Sequence, residues 1–269
     1  MKKKKRADEL LVERELVEDI EKARRSIMAG VVYTENDRID KPGTIISSET
    51  PLRVKHKDNL YVGRGGKKLD KALQEFDVNV SGKLFMDVGS STGGFTDCAL
   101  QHGAVKSYAI DVGYNQLDWK LRNDNRVIVM ERTNFKDVTP ELLNEGLPNF
   151  VSIDVSFISL KHIFPVLNKI LQPNSDIIAL IKPQFEAKRE QVGEKGIVRD
   201  PAIHHEVLDK VIVYARQSGF SLLNLTYSPI TGTEGNIEFL LHLGWEKEYN
   251  MDASISYEHV IEEAHMYLS

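Results

Sequence analysis

Residues 84–97, Leu-Phe-Met-Asp-Val-Gly-Ser-Ser-Thr-Gly-Gly-Phe-Thr-Asp, constrain this chain more than any other stretch. The apolar residues around Asp87 read as a buried strand, the small residues after them as a tight turn, and Phe95 onward as the start of a helix. A strand that passes through a glycine turn into a helix opens a βαβ unit, where backbone amides meet a nucleotide-like ligand. Gly89, Gly93 and Gly94 suit such a turn, because without a Cβ the chain bends sharply and approaches a ligand closely.

The chain beyond this point alternates between strand and helix patterns, which predicts a doubly wound α/β domain on a parallel sheet. Candidate strands are 84–88, 107–111, 127–130, 150–154, 177–182, 221–227 and 237–243, with helices expected at 140–145, 158–171 and 201–217. Seven strands, the last two joined without a helix, give the Rossmann-like layout of class I methyltransferases.

Three ligands compete for the turn. A phosphate-binding P-loop needs a terminal Gly-Lys-Ser/Thr, which is missing here. A dinucleotide fingerprint needs Gly-x-Gly-x-x-Gly, and the spacing from Gly89 to Gly93 and Gly94 matches it poorly. S-adenosylmethionine sites place an acidic residue at the end of the first strand, ahead of a small-residue turn, and Asp87 fits. The turn alone does not separate the last two readings. Ligands of open parallel sheets bind at the carboxyl ends of the strands, so Asp111 and Val112 after the second strand, and Asn134 after the third, join the expected cofactor site. A carboxylate at Asp111 can accept both hydroxyls of a ribose, and 131–134 stand where an adenine edge is read.

Composition bounds the remaining possibilities. A chain of 269 residues, 41% hydrophobic and 28% charged, has room for one large domain and a small accessory one. No apolar run approaches a membrane span, and the basic start 1–6 leads into no apolar core, so a cytoplasmic protein is expected. Cys98, the single cysteine, has no disulfide partner in the chain and no evident partners for a zinc cluster. The histidines show no metal-binding spacing, and no metal is expected. Net charge is −5, yet residues 1–60 hold 14 Lys/Arg against 12 Asp/Glu while the rest holds 21 against 28. Basic clusters at 2–6, at Lys22, Arg24 and Arg25, and at Arg64, Lys67, Lys68 and Lys71 can follow a phosphate backbone, or can simply be solvated faces.

Residues 7–15 and 20–29 carry helical spacing, the second helix with Asp19 as its N-cap and Gly30 at its end. Short strands at 31–33 and 52–55 complete a miniature α+β domain. Residues 10–14, the 22–24 helix segment, the 29–33 exit and the 40–43 turn resemble the RNA-binding domain named after ribosomal protein S-four. That resemblance implies that Lys22, Arg24 and Arg25 contact RNA phosphates, and Arg64 and Lys67 extend the expected RNA surface. The organisation expected is an RNA-binding domain over 1–58, a flexible linker over 59–66 and a catalytic domain over 67–269.

The remaining strand ends carry reactive groups. Asp154 ends the fourth strand, Lys182 ends the fifth, and Glu238 opens the last, where antiparallel entry brings it to the same edge. Lys68, on the helix after the linker, completes a set of two lysines and two carboxylates. An ordinary lysine, with a pKa of about 10.4, is protonated at neutral pH, but a second cation or desolvation frees some neutral amine to act as a base toward a hydroxyl. The carboxylates oppose that shift and are better suited to orienting groups. Structural ion pairs, Lys68 with Glu238 and Lys182 with Asp154, are the alternative. Residues 154–157 lack the Asn/Asp-Pro-Pro-aromatic pattern of amino methylation, and Cys98 lies away from the fourth strand, against carbon-five methylation.

Residues 60–245 resemble the FtsJ-type ribose methyltransferases, and the whole chain resembles the TlyA, or hemolysin A, family of ribosomal RNA 2′-O-methyltransferases. The resemblance rests on 63–69, 87–96, 111–117, 131–134 and 182–186. It implies S-adenosylmethionine as cofactor, held by Asp87, Gly89, Ser90, Ser91, Thr92, Gly93, Gly94, Phe95, Asp111, Val112 and Asn134. It implies Lys68, Asp154, Lys182 and Glu238 as the catalytic tetrad, Lys182 as base, and ribosomal RNA within ribosomal subunits as partner. A tryptophan-containing linker tetrapeptide of some members is replaced here by 59–62. Two alternatives stand beside this reading: a membrane-active hemolysin, disfavoured because no segment pairs a strong apolar face with a basic one, and a non-catalytic RNA-binding assembly factor.

Overall fold

The structure is a computed structural model that describes residues 4–35, 37–54, 60–247 and 256–268. The chain divides into two compact units, Met1–Asn59 and Leu60–Ser269.

In the first unit, β1 (Lys4–Arg6) leads into α1 (Ala7–Glu13), followed by α2 (Ile20–Met28), β2 (Val32–Tyr33), β3 (Ile45–Ser47) and β4 (Arg53–Val54). The β1–β3 and β2–β4 pairs are both antiparallel. As expected, Asp19 caps α2 by accepting from Lys22 N at 2.7 Å, and Gly30 leaves the helix at φ +68°. Ala7, Leu11, Ala23, Ile27 and Val32 form the core. Asp8 is fully buried on α1, so its charge must be paired: Arg6 Nη2 lies 2.7 Å and Arg24 Nε 3.3 Å from Oδ2.

The second unit contains α3 (Gly66–Glu75), β5 (Leu84–Val88), α4 (Gly94–Gln101), β6 (Lys106–Ile110), α5 (Trp119–Arg122), β7 (Val127–Met130), β8 (Phe150–Ile153), α6 (Phe164–Leu167), β9 (Ser175–Ile181), α7 (Pro183–Glu186), α8 (Pro201–Gln217), β10 (Ser221–Tyr227), β11 (Phe239–Trp245) and α9 (Tyr257–Leu268). Seven strands form one sheet in the order β10-β11-β9-β8-β5-β6-β7. All neighbours are parallel except β11, which runs antiparallel between β9 and β10. Leu69, Leu73, Phe95 and Cys98 of α3 and α4 pack with Phe85, Phe150 and Leu180, whereas Val207, Leu208 and Val211 of α8 pack with Met86, Val151 and Ile177. The alternating strand residues thus feed two cores, one on each face.

Two expected helices are curtailed. Pro140 supports only a 3-10 turn over Pro140–Leu142, and 158–171 breaks into a 3-10 turn (Leu160–His162) and the four-residue α6, where Pro165 cannot donate a backbone hydrogen bond. The expected linker is also shorter. Tyr61 is buried beside Leu69 and Cys98, Val62 N donates to Asp97 Oδ2 at 2.8 Å, and Gln101 Nε2 donates to Leu60 O at 2.9 Å. Residues 60–66 therefore belong to the second unit, whose compact part begins at Leu60. Lys55 to Asn59 lie outside the described residues. No helix among the described residues is long and apolar enough to cross a membrane.

Candidate active site

The strand order reverses direction between β5 and β8, because the chain first winds from β5 out to β7 and then returns to the other side of β5. Crevices in open α/β sheets form outside the carboxyl ends at this switch point. Gly89 sits there at φ +86°, and a Cβ on it would come within 2.4 Å of the Asp154 carbonyl oxygen. Only glycine lets the two strand ends come this close.

Strain accumulates along the same edge. The four loops that leave β5, β6, β7 and β8 each hold one non-glycine residue in left-handed conformation: Ser91, Asn115, Arg132 and Phe157. Each costs on the order of 1 kcal/mol or more and persists only where its surroundings dictate it, a pattern that collects at functional sites.

These loops enclose a cavity of about 330 Å3 lined by Gly89, Ser91, Asp111, Val112, Gln116, Thr133, Asn134, Phe135, Asp154, Ser156 and Phe157, among others. Asp111 organises its rim by accepting from Ser91 N at 2.8 Å and from Gly113 N at 2.6 Å. Five of the expected cofactor residues line the cavity: Gly89, Ser91, Asp111, Val112 and Asn134.

The other six, Asp87, Ser90, Thr92, Gly93, Gly94 and Phe95, are absent from the lining. Asp87 is 1% exposed and turned into the protein, accepting from Thr96 N at 2.9 Å, Thr96 Oγ1 at 2.8 Å and Ser152 Oγ at 3.0 Å. It thereby fills the anion position at the N-terminus of α4 with the protein's own carboxylate. Backbone covers the rest of that terminus, since a Cβ on Gly94 would meet Gly66 N at 2.8 Å and Gly63 O at 3.0 Å. Ser90, Gly93, Gly94 and Phe95 are buried as well, whereas Thr92 is exposed. Glu131 is likewise occupied in holding its loop. It accepts from Arg122 Nη2 at 2.7 Å and from the amide of Gln116 at 3.1 Å, and the Arg122 guanidinium holds its carboxyl down at about 2.

Beside the cavity the structure assembles all four expected reactive residues. Lys68 Nζ donates to Glu238 Oε2 at 2.6 Å and lies 3.9 Å from Asp154 Oδ2. Lys182 Nζ lies 2.5 Å from Asp154 Oδ1, off the hydrogen-bonding direction, while its directed hydrogen bond goes to Ser156 Oγ at 3.0 Å. The result is a chain, Glu238–Lys68–Asp154–Lys182–Ser156, in which Asp154 bridges two cations. β11 delivers Glu238 as expected, because Phe239 pairs with Ile181 beside Lys182. Burial pushes the Glu238 carboxyl up, against the pull of Lys68. Ser156 escaped the sequence reading although it lies only two residues past Asp154.

Glu186, also missed, joins the segments that carry Lys182 and Asp154. It accepts from Ser159 Oγ and Leu160 N, both at 2.7 Å, and so pins the loop after β8 to α7. The loop's tip, Phe157, is 90% exposed and lies 5.0 Å from the Phe185 ring.

Residues 61–245 match the FtsJ-like methyltransferase family. The chain belongs to that family. YqxC of Bacillus subtilis, a candidate rRNA methyltransferase, is 58% identical over 266 residues, covering 98% of this chain and 95% of that one. The 16S/23S rRNA (cytidine-2′-O)-methyltransferase TlyA of Mycobacterium tuberculosis is 39% identical over 254 residues, 94% of each chain. The solved structure of a candidate hemolysin from Streptococcus thermophilus is 48% identical, covers 99% of this chain and 98% of its own, and superimposes with a TM-score of 0.77. For an FtsJ-like chain the cavity is chemically apt. Its lining holds two carboxylates and neither lysine nor arginine. Such a lining opposes a dinucleotide pyrophosphate and suits a nucleoside bearing a cationic sulfonium.

The expected RNA contacts divide. Arg25, Arg64 and Lys67 are exposed. Lys22 is paired with Glu18 at 2.7 Å, and Arg24 is partly committed to the buried Asp8.

Proposed function

We propose that this chain transfers a methyl group from S-adenosylmethionine to the 2′-hydroxyl of a ribose in ribosomal RNA. The observation that carries the reading is the junction of the anionic cavity with the Lys-Asp-Lys-Glu cluster at Asp154, which belongs to both. The cofactor, when bound, supplies an electrophilic methyl group on a positively charged sulfur. Asp111 would hold the ribose hydroxyls of the cofactor, with Asn134 and Phe135 beside its base.

Methylation of a hydroxyl requires a proton acceptor near the attacking oxygen. Lys182 is the better placed lysine, since Asp154 and Ser156, which flank its Nζ, both line the cavity. Lys68 is more deeply buried and held by Glu238. Lys182 as free amine takes the 2′-hydroxyl proton, and Asp154 and Ser156 fix the direction of its Nζ. The Lys68 ammonium competes for Asp154, which loosens Asp154's hold on the protonated form of Lys182. Phe157 presents an open aromatic face at the cavity mouth on which an unstacked base can rest. Residues 1–58 serve as the RNA-binding module, with Arg25 as a phosphate contact, and Arg64 and Lys67 of the second unit add further phosphate contacts. The named rRNA 2′-O-methyltransferase among its relatives supports ribosomal RNA as the substrate class.

Purified protein incubated with ribosomal subunits and methyl-labelled S-adenosylmethionine should transfer label to rRNA ribose. Lys182→Ala and Asp154→Ala proteins that stay folded should not. Undiminished transfer in both variants would remove the tetrad from the mechanism, and absence of cofactor binding by calorimetry would favour a non-catalytic RNA-binding protein.

A further inference from the structure

Cys98 and His102 stand four residues apart, the second at the C-cap of α4, so both side chains project from one face. Asp70 of α3 reaches the same point. Its Oδ1 lies 3.4 Å from His102 Nε2, and one ligand atom from each of the three residues lies within 4.8 Å of the other two. Cys98 thus has two neighbours of metal-ligating type, one of them from the helix packed alongside.

The histidine's own contacts sharpen the point. His102 Nδ1 lies 2.9 Å from the carbonyl oxygen of Cys98, which only accepts, so Nδ1 carries the proton. The other nitrogen of the neutral ring then turns a lone pair toward the Asp70 carboxylate, which is a second acceptor. A proton or a metal ion placed between the two would join them at the observed 3.4 Å. A backbone carbonyl bonded to one ring nitrogen is also the contact that orients metal-ligating histidines through the other. Tetrahedral zinc bond lengths imply ligand separations of about 3.4 Å for N and O and about 3.6 Å for N and S. The first separation is already present; the thiol, whose Sγ lies 3.6 Å from His102 Nδ1, must swing toward Nε2 to reach the second.

We propose that Asp70, Cys98 and His102 form a site for a borderline-soft divalent cation of the zinc class, with a fourth position left for water or the Tyr61 hydroxyl. Burial first, and then the neighbouring Cys98 and Asp70, push the Tyr61 hydroxyl's pKa up. The ion would join α3, which carries Lys68, to α4, which follows the glycine turn, and so act as a structural staple with no part in the methyl transfer. Burial pushes the Cys98 thiol up to about 12, and the Asp70, Asp97 and Asp87 carboxylates add to that. Metal entry thus forms a sulfur–metal bond and releases the thiol proton to solvent.

The test is anaerobic titration of chelator-treated, full-length protein with Co2+. One equivalent should produce a thiolate-to-cobalt charge-transfer band in the near ultraviolet and the visible bands of tetrahedral cobalt, both erased by Zn2+. Because the chain has a single cysteine, the charge-transfer band reports on Cys98 alone. The band should vanish in Cys98→Ser, and Co2+ affinity should fall by more than about tenfold in His102→Ala and Asp70→Asn. The latter two substitutions lie outside the closed core and keep the test valid if Cys98→Ser fails to fold. Zn2+ should raise the thermal midpoint of the wild type and leave that of His102→Ala unmoved. No charge-transfer band at one equivalent, undiminished affinity in both His102→Ala and Asp70→Asn, or equal Zn2+ stabilisation of all variants would overturn the proposal.

Discussion

Asp87→Asn probes the frame of the cofactor turn. The Asp87 carboxyl accepts three hydrogen bonds, yet full burial pushes it from 3.8 up to about 7. A folded-state value above the unfolded one means that the carboxyl's stability contribution is fully present below pH 3.8 and is lost as pH rises through about 7. Between about pH 5 and pH 8 the unfolded chain is already ionised while the native one gives up its proton, a loss of about 2.6 kcal/mol at 1.36 kcal/mol per unit. Asparagine is neutral throughout, and its amide can still accept from Thr96 N and donate to Ser152 Oγ. The difference in unfolding free energy between wild type and variant should therefore shift by about 2.6 kcal/mol in the variant's favour over that interval. Other titrating groups, such as His204 and Glu238, cancel in the difference. Urea denaturation followed by tryptophan fluorescence reports on the second unit, because Trp119 and Trp245, the chain's two tryptophans, both lie there. A pH-independent difference would refute the reasoning, showing that Asp87 ionises as freely in the fold as in the unfolded chain.

Two further outcomes follow from the site. Phe157→Ala removes the exposed ring at the cavity mouth and should raise the KM for RNA by the equivalent of about 1–3 kcal/mol of stacking, measured by steady-state methyl transfer with cofactor saturating. An unchanged KM would remove Phe157 from substrate contact. Glu238→Ala leaves the Lys68 charge buried with only Asp154 at 3.9 Å, and should destabilise the second unit by about 3–5 kcal/mol in urea unfolding.

The strands were legible because their apolar runs lie between glycine, proline and asparagine signals, and 84–88, 127–130 and 221–227 matched to the residue. The clustering of Lys68, Asp154, Lys182 and Glu238 was legible because each sits at a strand end or on the helix just before the sheet, where topology alone brings them to one edge. What sequence could not supply was direction. Asp87 and Asp111 both stand at strand ends before glycines, yet one points into the protein and the other onto the cavity rim. Residues 60–66 read as a hinge from their glycines, but those glycines serve contact. A Cβ on Gly66 would meet the Tyr61 ring at 2.3 Å, and one on Gly63 would meet Thr92 Oγ1 at 2.4 Å. The Asp70–Cys98–His102 cluster was invisible because its members come from two helices whose packing, rather than spacing in the chain, creates it.

The inward turn of Asp87 also bears on the proposed cofactor, because it suits one sheet edge to a cationic ligand instead of a phosphorylated one. Dinucleotide folds leave the first helix N-terminus open, so that its amides and positive dipole end meet a pyrophosphate. Here Asp87 takes the Thr96 amide, and Gly63 and Gly66 close over Gly94. With that positive end spent, Asp111 brings negative charge to the cavity, whereas the charge of Asp154 is shared with Lys68 and Lys182. A sulfonium is favoured there, and Asp154 ties the same field to Lys68 and Lys182. Under the proposed function, one carboxylate would take part both in selecting the methyl donor's charge and in setting the lysine that receives the proton. Substitution of Asp154 should therefore lower cofactor affinity and turnover together, whereas substitution of Lys182 should lower turnover alone. Calorimetric S-adenosylmethionine affinity set beside kcat in Asp154→Asn and Lys182→Ala separates the two roles, and equal affinity in both variants would break the link.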